Sequence, residues 1–122
     1  DRLDKCGHTD GILHYIGDGK VLTNLNVYSK QITNQMRERL RSKFEIVDLK
    51  ISDFHKYSWA YINMLEVGDV IIVPGLGLPT DQEALNQIQD LFPNHDVCQV
   101  NIFEIVKKWG GAINCLSWTI RR

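Results

Sequence analysis

The sequence predicts an α/β fold made of two consecutive ββαβ modules. Three observations carry this expectation. Paired apolar stretches joined by a Gly/Asp turn occur twice, about 50 residues apart. Each pair is followed by a run of apolar side chains at helical spacing. Each helical run then leads into a short β-like stretch.

In the first module, Gly11–Ile16 and Val21–Leu25 flank Gly17-Asp18-Gly19-Lys20, the pattern of a β-hairpin. Tyr28, Ile32, Met36, Leu40 and Phe44 then recur every fourth residue and predict one helix stripe. Arg37, Glu38, Arg39 and Arg41 fall off that stripe and read as a solvated face. Glu45–Leu49 reads as the closing strand. In the second module, Ala60–Leu65, alternating at Tyr61, Asn63 and Leu65, and Val70–Pro74 flank Glu66-Val67-Gly68-Asp69. Thr80-Asp81-Gln82-Glu83 has the form of a capping box. The helix it opens runs through Ala84, Leu85, Ile88 and Leu91 until Pro93 stops it, and Asp96–Val100 closes the unit. The modules are thus expected at 7–51 and 57–101. A tail at 102–122 holds an amphipathic stretch (Ile102, Phe103, Ile105, Val106), a break at Gly110-Gly111, and a strand over 112–120. A lone module would leave a sheet edge and a helix face uncovered, so copies should pack side by side. Two copies are few for a closed architecture and the sequence does not start with Met, so a piece of a longer protein is expected.

Composition narrows the function classes. The 122 residues are 43% apolar and 24% charged, an ordinary globular balance for one domain or part of one. A formal net charge of -1 provides no basic field for nucleic acid or an anionic membrane. No apolar run approaches the roughly 20 residues a membrane helix needs. Three cysteines (Cys6, Cys98 and Cys115) make a poor disulfide framework and show no zinc-type spacing. A reducing, cytoplasmic setting is the expectation, with secretion as the alternative.

Two segments could carry chemistry. Cys115 follows the double glycine where a strand is expected to begin, a place where ligands can approach the backbone. A thiol there is a possible nucleophile, although alone it reads more simply as a small buried hydrophobe. In Gly7-His8-Thr9-Asp10-Gly11, an extended backbone would point His8 and Asp10 to one side as an acid–base pair. Alone, the segment reads more simply as a turn in which Asp10 bonds nearby backbone. His14 reads as a half-buried strand residue, His55 and His95 as loop residues, and Gly75-Leu76-Gly77 as a strand-to-helix connection rather than a phosphate loop. Trp109 and Trp118 flank the cysteine segment and are expected to pack.

Taken together, Gly7-His8-Thr9-Asp10, Val70–Pro74, the Asp81–Pro93 helix and Gly110-Gly111-Ala112-Ile113-Asn114-Cys115 resemble the agmatine deiminase and Porphyromonas-type peptidyl-arginine deiminase family. That family belongs to the guanidine-modifying pentein superfamily. The resemblance implies a pentein-type α/β propeller of five ββαβ blades, of which this chain holds the last two. It implies Cys115 as nucleophile, His8 as acid and base, and Asp10 as guanidinium-binding carboxylate, with Gly111 and Asn114 also at the substrate. A second guanidinium-binding acid belongs to an earlier blade and falls on no residue here. The chain departs from the family pattern at Asn114, where a His is common, and at Ala112, where a third glycine is common. Both bear on the substrate more than on the reaction.

The implied chemistry converts a small-molecule or peptide guanidine to a ureido product and ammonia through a Cys-linked intermediate. It needs no metal or organic cofactor. A protonated His8 is expected to lower the Cys115 pKa. The alternatives are an amidinotransferase on the same residues, or a truncated fragment without catalysis. The expected partners are the substrate and either the missing N-terminal blades or further copies of the chain.

Overall fold

A computed structural model of the chain describes residues 8–118 and residue 120. Gly7, where the first module was expected to open, lies outside the described residues. So do Cys6, Thr119 and residues 121–122. The elements are β1 (Leu13–Tyr15), β2 (Lys20–Thr23), α1 (Lys30–Arg41), β3 (Glu45–Asp48), β4 (Leu65–Val67), β5 (Val70–Gly75), α2 (Asp81–Leu91), β6 (Asp96–Asn101), α3 (Phe103–Trp109) and α4 (Ile113–Leu116). Among the described residues no helix is long and apolar enough to cross a membrane.

The strands form two three-stranded sheets, ordered β1-β2-β3 and β4-β5-β6. In each, the first two strands pair antiparallel and the third lies parallel to the second. Local chemistry explains both halves of that pattern. Gly17, Asp18 and Gly19 all take positive φ, so the chain reverses tightly into the first hairpin. A parallel third strand requires a crossover, and each helix supplies one. The ββαβ order is therefore present twice. One apolar core joins the units: Leu22 and Leu49 from the first pack in the same cluster as Tyr61, Met64, Ile71 and Ile88 from the second.

Several local expectations change. The strand expected at 60–65 begins only at Leu65, because Ser58–Ile62 forms a 3-10 turn. Ala60, Tyr61 and Ile62 are all fully buried, so the turn sends three consecutive side chains into the core. In α1, Ile32 is exposed and Thr33 is the buried residue, with its hydroxyl donating to Leu25 O at 2.8 Å. Arg37 is not solvated: it turns toward β3 and pairs with Asp48. The helix thus packs on a face that includes a hydroxyl and a guanidinium, a choice apolar spacing does not reveal.

The capping box also fails as read. The Thr80 side chain does not cap α2; its hydroxyl is hydrogen-bonded to Tyr61 Oη at 3.0 Å. Glu83 instead accepts the Ser52 N–H at 2.9 Å. Asp81 gathers the free donors of the β5–α2 loop, accepting Leu76 N–H at 3.0 Å, Gly77 N–H at 2.8 Å and Tyr61 O–H at 2.7 Å. The strand expected over 112–120 is replaced by the single helical turn α4, entered through Gly110 at φ 69°. Trp109 and Trp118 do not pack here; they are 72% and 89% exposed.

Replacing Asp81 by Ala should leave two backbone donors and one phenol unpaired and cost about 2–3 kcal/mol in urea-induced unfolding. A midpoint equal to that of the unmodified chain would show that the loop is held by something else.

Candidate active site

The site forms where the start of the chain, the Ser58–Ile62 turn and the tail meet. Thr9–Gly11 is a 3-10 turn closed by the Ile12 N–H on Thr9 O at 2.9 Å, not the extended strand that would align His8 with Asp10. Thr and Asp favour such turns because their short polar side chains satisfy nearby backbone. Gly11 follows because space is short: a Cβ there would stand 3.0 Å from the Trp59 ring. Its carbonyl accepts the buried Asn24 amide at 3.0 Å, which ties the turn to the end of β2.

Asp10 is the centre of convergence. Its Oδ2 accepts the Asn63 amide at 2.8 Å, the Asn114 amide at 3.3 Å and the Cys115 thiol at 3.2 Å. Its Oδ1 stands 3.8 Å from His8 Nδ1. All three residues with a predicted catalytic role, His8, Asp10 and Cys115, therefore meet around one carboxylate. Cys115 is exposed, not a buried packing residue. Asn114 is turned onto Asp10. Gly111 lies behind the thiol, where a Cβ would sit 3.3 Å from Cys115 Cβ. It is Gly110 that lines the opening.

Asn63 is the residue that sequence reasoning missed. It is fully buried and binds in three directions. Its amide donates to Asp10, its Oδ1 accepts the Cys115 N–H at 3.3 Å, and its carbonyl accepts the Asn114 N–H at 3.2 Å. It read as one polar step in a strand. The available signal was an Asn inside the apolar run Trp59–Leu65, because a buried amide needs several polar partners.

A groove of about 500 Å³ opens from this cluster. His8, Asp10 and Cys115 line one part; Trp59, Tyr57, Ile12 and Val106 supply apolar walls, and Lys56 also borders it. Burial would raise the Asp10 pKa, but the bonds from Cys115, Asn63 and Asn114 outweigh it and hold the carboxyl below its usual value. Burial pushes the Cys115 thiol up, and the Asp10 carboxylate adds to that, against partial relief from backbone at Ala112 and from Asn63. The lowered thiol expected from a neighbouring imidazolium is thus not the resting condition: the nearest charge is negative. His14 lies on β1, where burial keeps its imidazole toward the neutral form. Among the described residues no group of three or more His, Cys, Asp and Glu side chains could hold a metal ion.

These charges set two pH dependences. Alkylation of Cys115 by iodoacetamide should be slow at neutral pH, with an inflection above the ordinary thiol value that falls in Asp10→Asn. An inflection that stays put in that variant would remove Asp10 as its cause. The depressed Asp10 carboxyl adds stability above its ordinary value of 3.8, and that contribution is lost as pH falls through the lower folded value. Acid unfolding of Asp10→Asn should therefore show a shallower pH dependence below about pH 4.

The chain is similar to several known proteins. An agmatine deiminase from Stutzerimonas stutzeri is 41% identical over 58 residues, 48% of this chain and 16% of that protein. The solved agmatine deiminase of Enterococcus faecalis superposes with a TM-score of 0.65 at 25% identity, covering 88% of this chain and 38% of that one. An amidinotransferase from Microseira wollei, of the saxitoxin pathway, superposes with a TM-score of 0.65 at 20% identity, over 94% of this chain and 31% of its own. That likeness is one of fold. The chain therefore spans about two fifths or less of the length of each of these proteins. Its two small sheets are a fragment of the larger pentein fold. The sequence pattern of the Porphyromonas-type peptidyl-arginine deiminases matches residues 1–120, and the chain belongs to that family.

Proposed function

We propose that Cys115, His8 and Asp10 are the nucleophile-bearing half of a guanidine-hydrolysing centre, acting on a substrate such as agmatine or an arginine side chain. One observation carries the reading: a thiol, two amides and an imidazole from three separate segments gather around the Asp10 carboxylate at the mouth of a groove. A planar cation suits that carboxylate, which can accept forked N–H bonds. Modules 7–51 and 57–101 are then the last two blades of the propeller, with 102–122 as the nucleophile segment. The earlier blades complete the pocket and bring the second guanidinium-binding carboxylate.

The resting charges suggest how the thiol is activated. An incoming guanidinium takes over the acceptor oxygens of Asp10 and cancels the negative field that holds the proton on Cys115. The proton passes to His8 and the thiolate attacks the guanidinium carbon. His8 returns the proton to one nitrogen, which leaves as ammonia with the bonding electrons. Water then attacks the S-linked amidino carbon while His8 accepts its proton. The C–S bond breaks as the C=O forms, leaving a ureido group and free thiol. Cys115 and Gly110 both line the groove. Free thiols at Cys98 and Cys115 suit a reducing compartment, so we place the reaction in the cytoplasm.

The test uses the full-length protein with agmatine, free arginine and peptidyl-arginine, following ammonia and ureido product. Cys115→Ala should abolish turnover; ureido product from that variant would refute the nucleophile. Asn63→Ala should lower kcat by about 100-fold, because positioning of the nucleophile and the carboxylate is lost together. A product that appears only when an amine acceptor is added would mark an amidinotransferase instead. The 122-residue chain alone should turn over at least about 100-fold more slowly than the full-length protein, since half a site positions a guanidinium poorly.

A further inference from the structure

We propose that copies of this chain associate head to tail, the outer side of α1 in one copy docking on the open face of the β4-β5-β6 sheet in the next. This pairing is independent of the reaction assigned to the site.

The joint between the two modules is the template. α2 places Ala84 and Ile88 in the core, and a neighbouring side of the same helix meets the first module. There Glu83 accepts the Ser52 N–H at 2.9 Å. Gln87 accepts the Lys50 N–H at 2.9 Å and donates to Lys50 O at 2.7 Å. Leu91 lies with Leu22, Val47 and Leu49 around one small gap. At this joint Leu22 is buried and Leu49 is 1% exposed.

The internal repeat places the two halves of that joint at opposite ends of the chain. The parallel strands start level in both sheets, at Lys20↔Glu45 and Val70↔Asp96. Leu22, Val47 and Leu49 therefore correspond to Ile72, Cys98 and Val100, which share one sheet face. That face is open: Cys98 and Val67 are exposed, and Val100 is 47% exposed where Leu49 is closed. The helices align through their buried first turns, where the Thr33 N–H reaches Ser29 O at 3.0 Å and the Ala84 N–H reaches Thr80 O at 3.1 Å. Glu83, Gln87 and Leu91 then correspond to Ile32, Met36 and Leu40, three members of the apolar stripe. α1 buries Thr33 and turns Arg37 to Asp48, which leaves Ile32 exposed and Met36 and Leu40 half-buried.

The two faces suit each other where they differ from the template. Gln87 grips the backbone of Lys50 because the chain has already left β3 there. At the matching place β6 still runs beside β5, with Asn101 paired to Gly75 and the Ile102 N–H on Gly75 O at 2.9 Å. That backbone needs no polar grip, so an apolar Met36 fits where Gln87 stood. The same register lays the basic end of α1, with exposed Arg39, Arg41 and Lys43, toward exposed Asp69 and Asp96 at the start of β5 and β6. Opposite charges then meet beside the apolar strip. A helix side that docks on a sheet face makes a heterologous contact, so one copy can give its helix to one neighbour and its sheet to another. The blades proposed above to precede this chain would compete for the same faces.

The experiment follows the mass of the 122-residue chain by sedimentation velocity under reducing conditions, from about 1 μM to about 1 mM. The unmodified chain should gain mass as concentration rises. Ile32→Asp and Cys98→Asp each put a carboxylate into one half of the joint, and each alone should weaken association by at least about 100-fold. Both positions are exposed, so the fold should tolerate either change. Mixed in equal amounts, the two variants should pair into a complex of two copies and nothing larger. Ile32→Asp keeps its sheet face and Cys98→Asp keeps its helix, so one intact joint remains. That recovery would also exclude misfolding as the cause of the loss. An unmodified chain that stays monomeric throughout would overturn the pairing and leave both faces to blades of the same chain. Association that survives in either variant, or a mixture that stays monomeric, would equally overturn it.

Discussion

Asp10 Oδ2 holds the molecule's three distant segments at one point. A carboxylate oxygen has room for several donors, and here it receives the Asn63 amide, the Asn114 amide and the Cys115 thiol. Each donor comes from a different part of the chain or from a different direction within the tail. The tail is anchored in the core by Ile102, Val106 and Ala112, with Ile113 packed against it. Asn63 fixes its end by taking the Cys115 N–H and offering its carbonyl to Asn114. Remove the charge on Asp10 and the three donors lose their common acceptor.

That arrangement has an electrostatic consequence. A carboxylate stabilised by three donors is a strong anion held at low pKa, and a thiol beside it resists ionisation. On the proposed reading, a cationic substrate would offset that negative charge, so that binding and activation of the proposed nucleophile would be one event.

The scaffold's task is to make Asn63 rigid. Asn63 follows the buried Ala60-Tyr61-Ile62 turn, and Tyr61 is anchored through its hydroxyl to Thr80 and Asp81 at the start of α2. Asp81 in turn holds the loop that leaves β5. A continuous line of buried contacts thus runs from the second helix to the carboxylate. Trp59, on the same turn, closes against Gly11 and so fixes the other side of the Asp10 segment. One short irregular stretch positions both flanks of the site.

Much of this was legible in the sequence. Turn glycines, helical spacing and closing strands determined the repeated ββαβ order, because those signals act within a few residues of one another. The motif around His8 and Asp10 and the segment around Cys115 were also legible, since glycines and reactive side chains mark them. The tertiary structure decided what depends on partners far along the chain. Ala60–Ile62 became a turn and not a strand, with all three side chains in the core. The tail became a helical turn and not a strand because its backbone met Asn63. Thr80 gave up its capping role to Tyr61, and Arg37 turned inward to Asp48. The thiol took a carboxylate, not an imidazolium, as its nearest charge. In each case a long-range hydrogen bond or a buried contact outweighed a local preference worth less than about 1 kcal/mol, and no local pattern records such a partner.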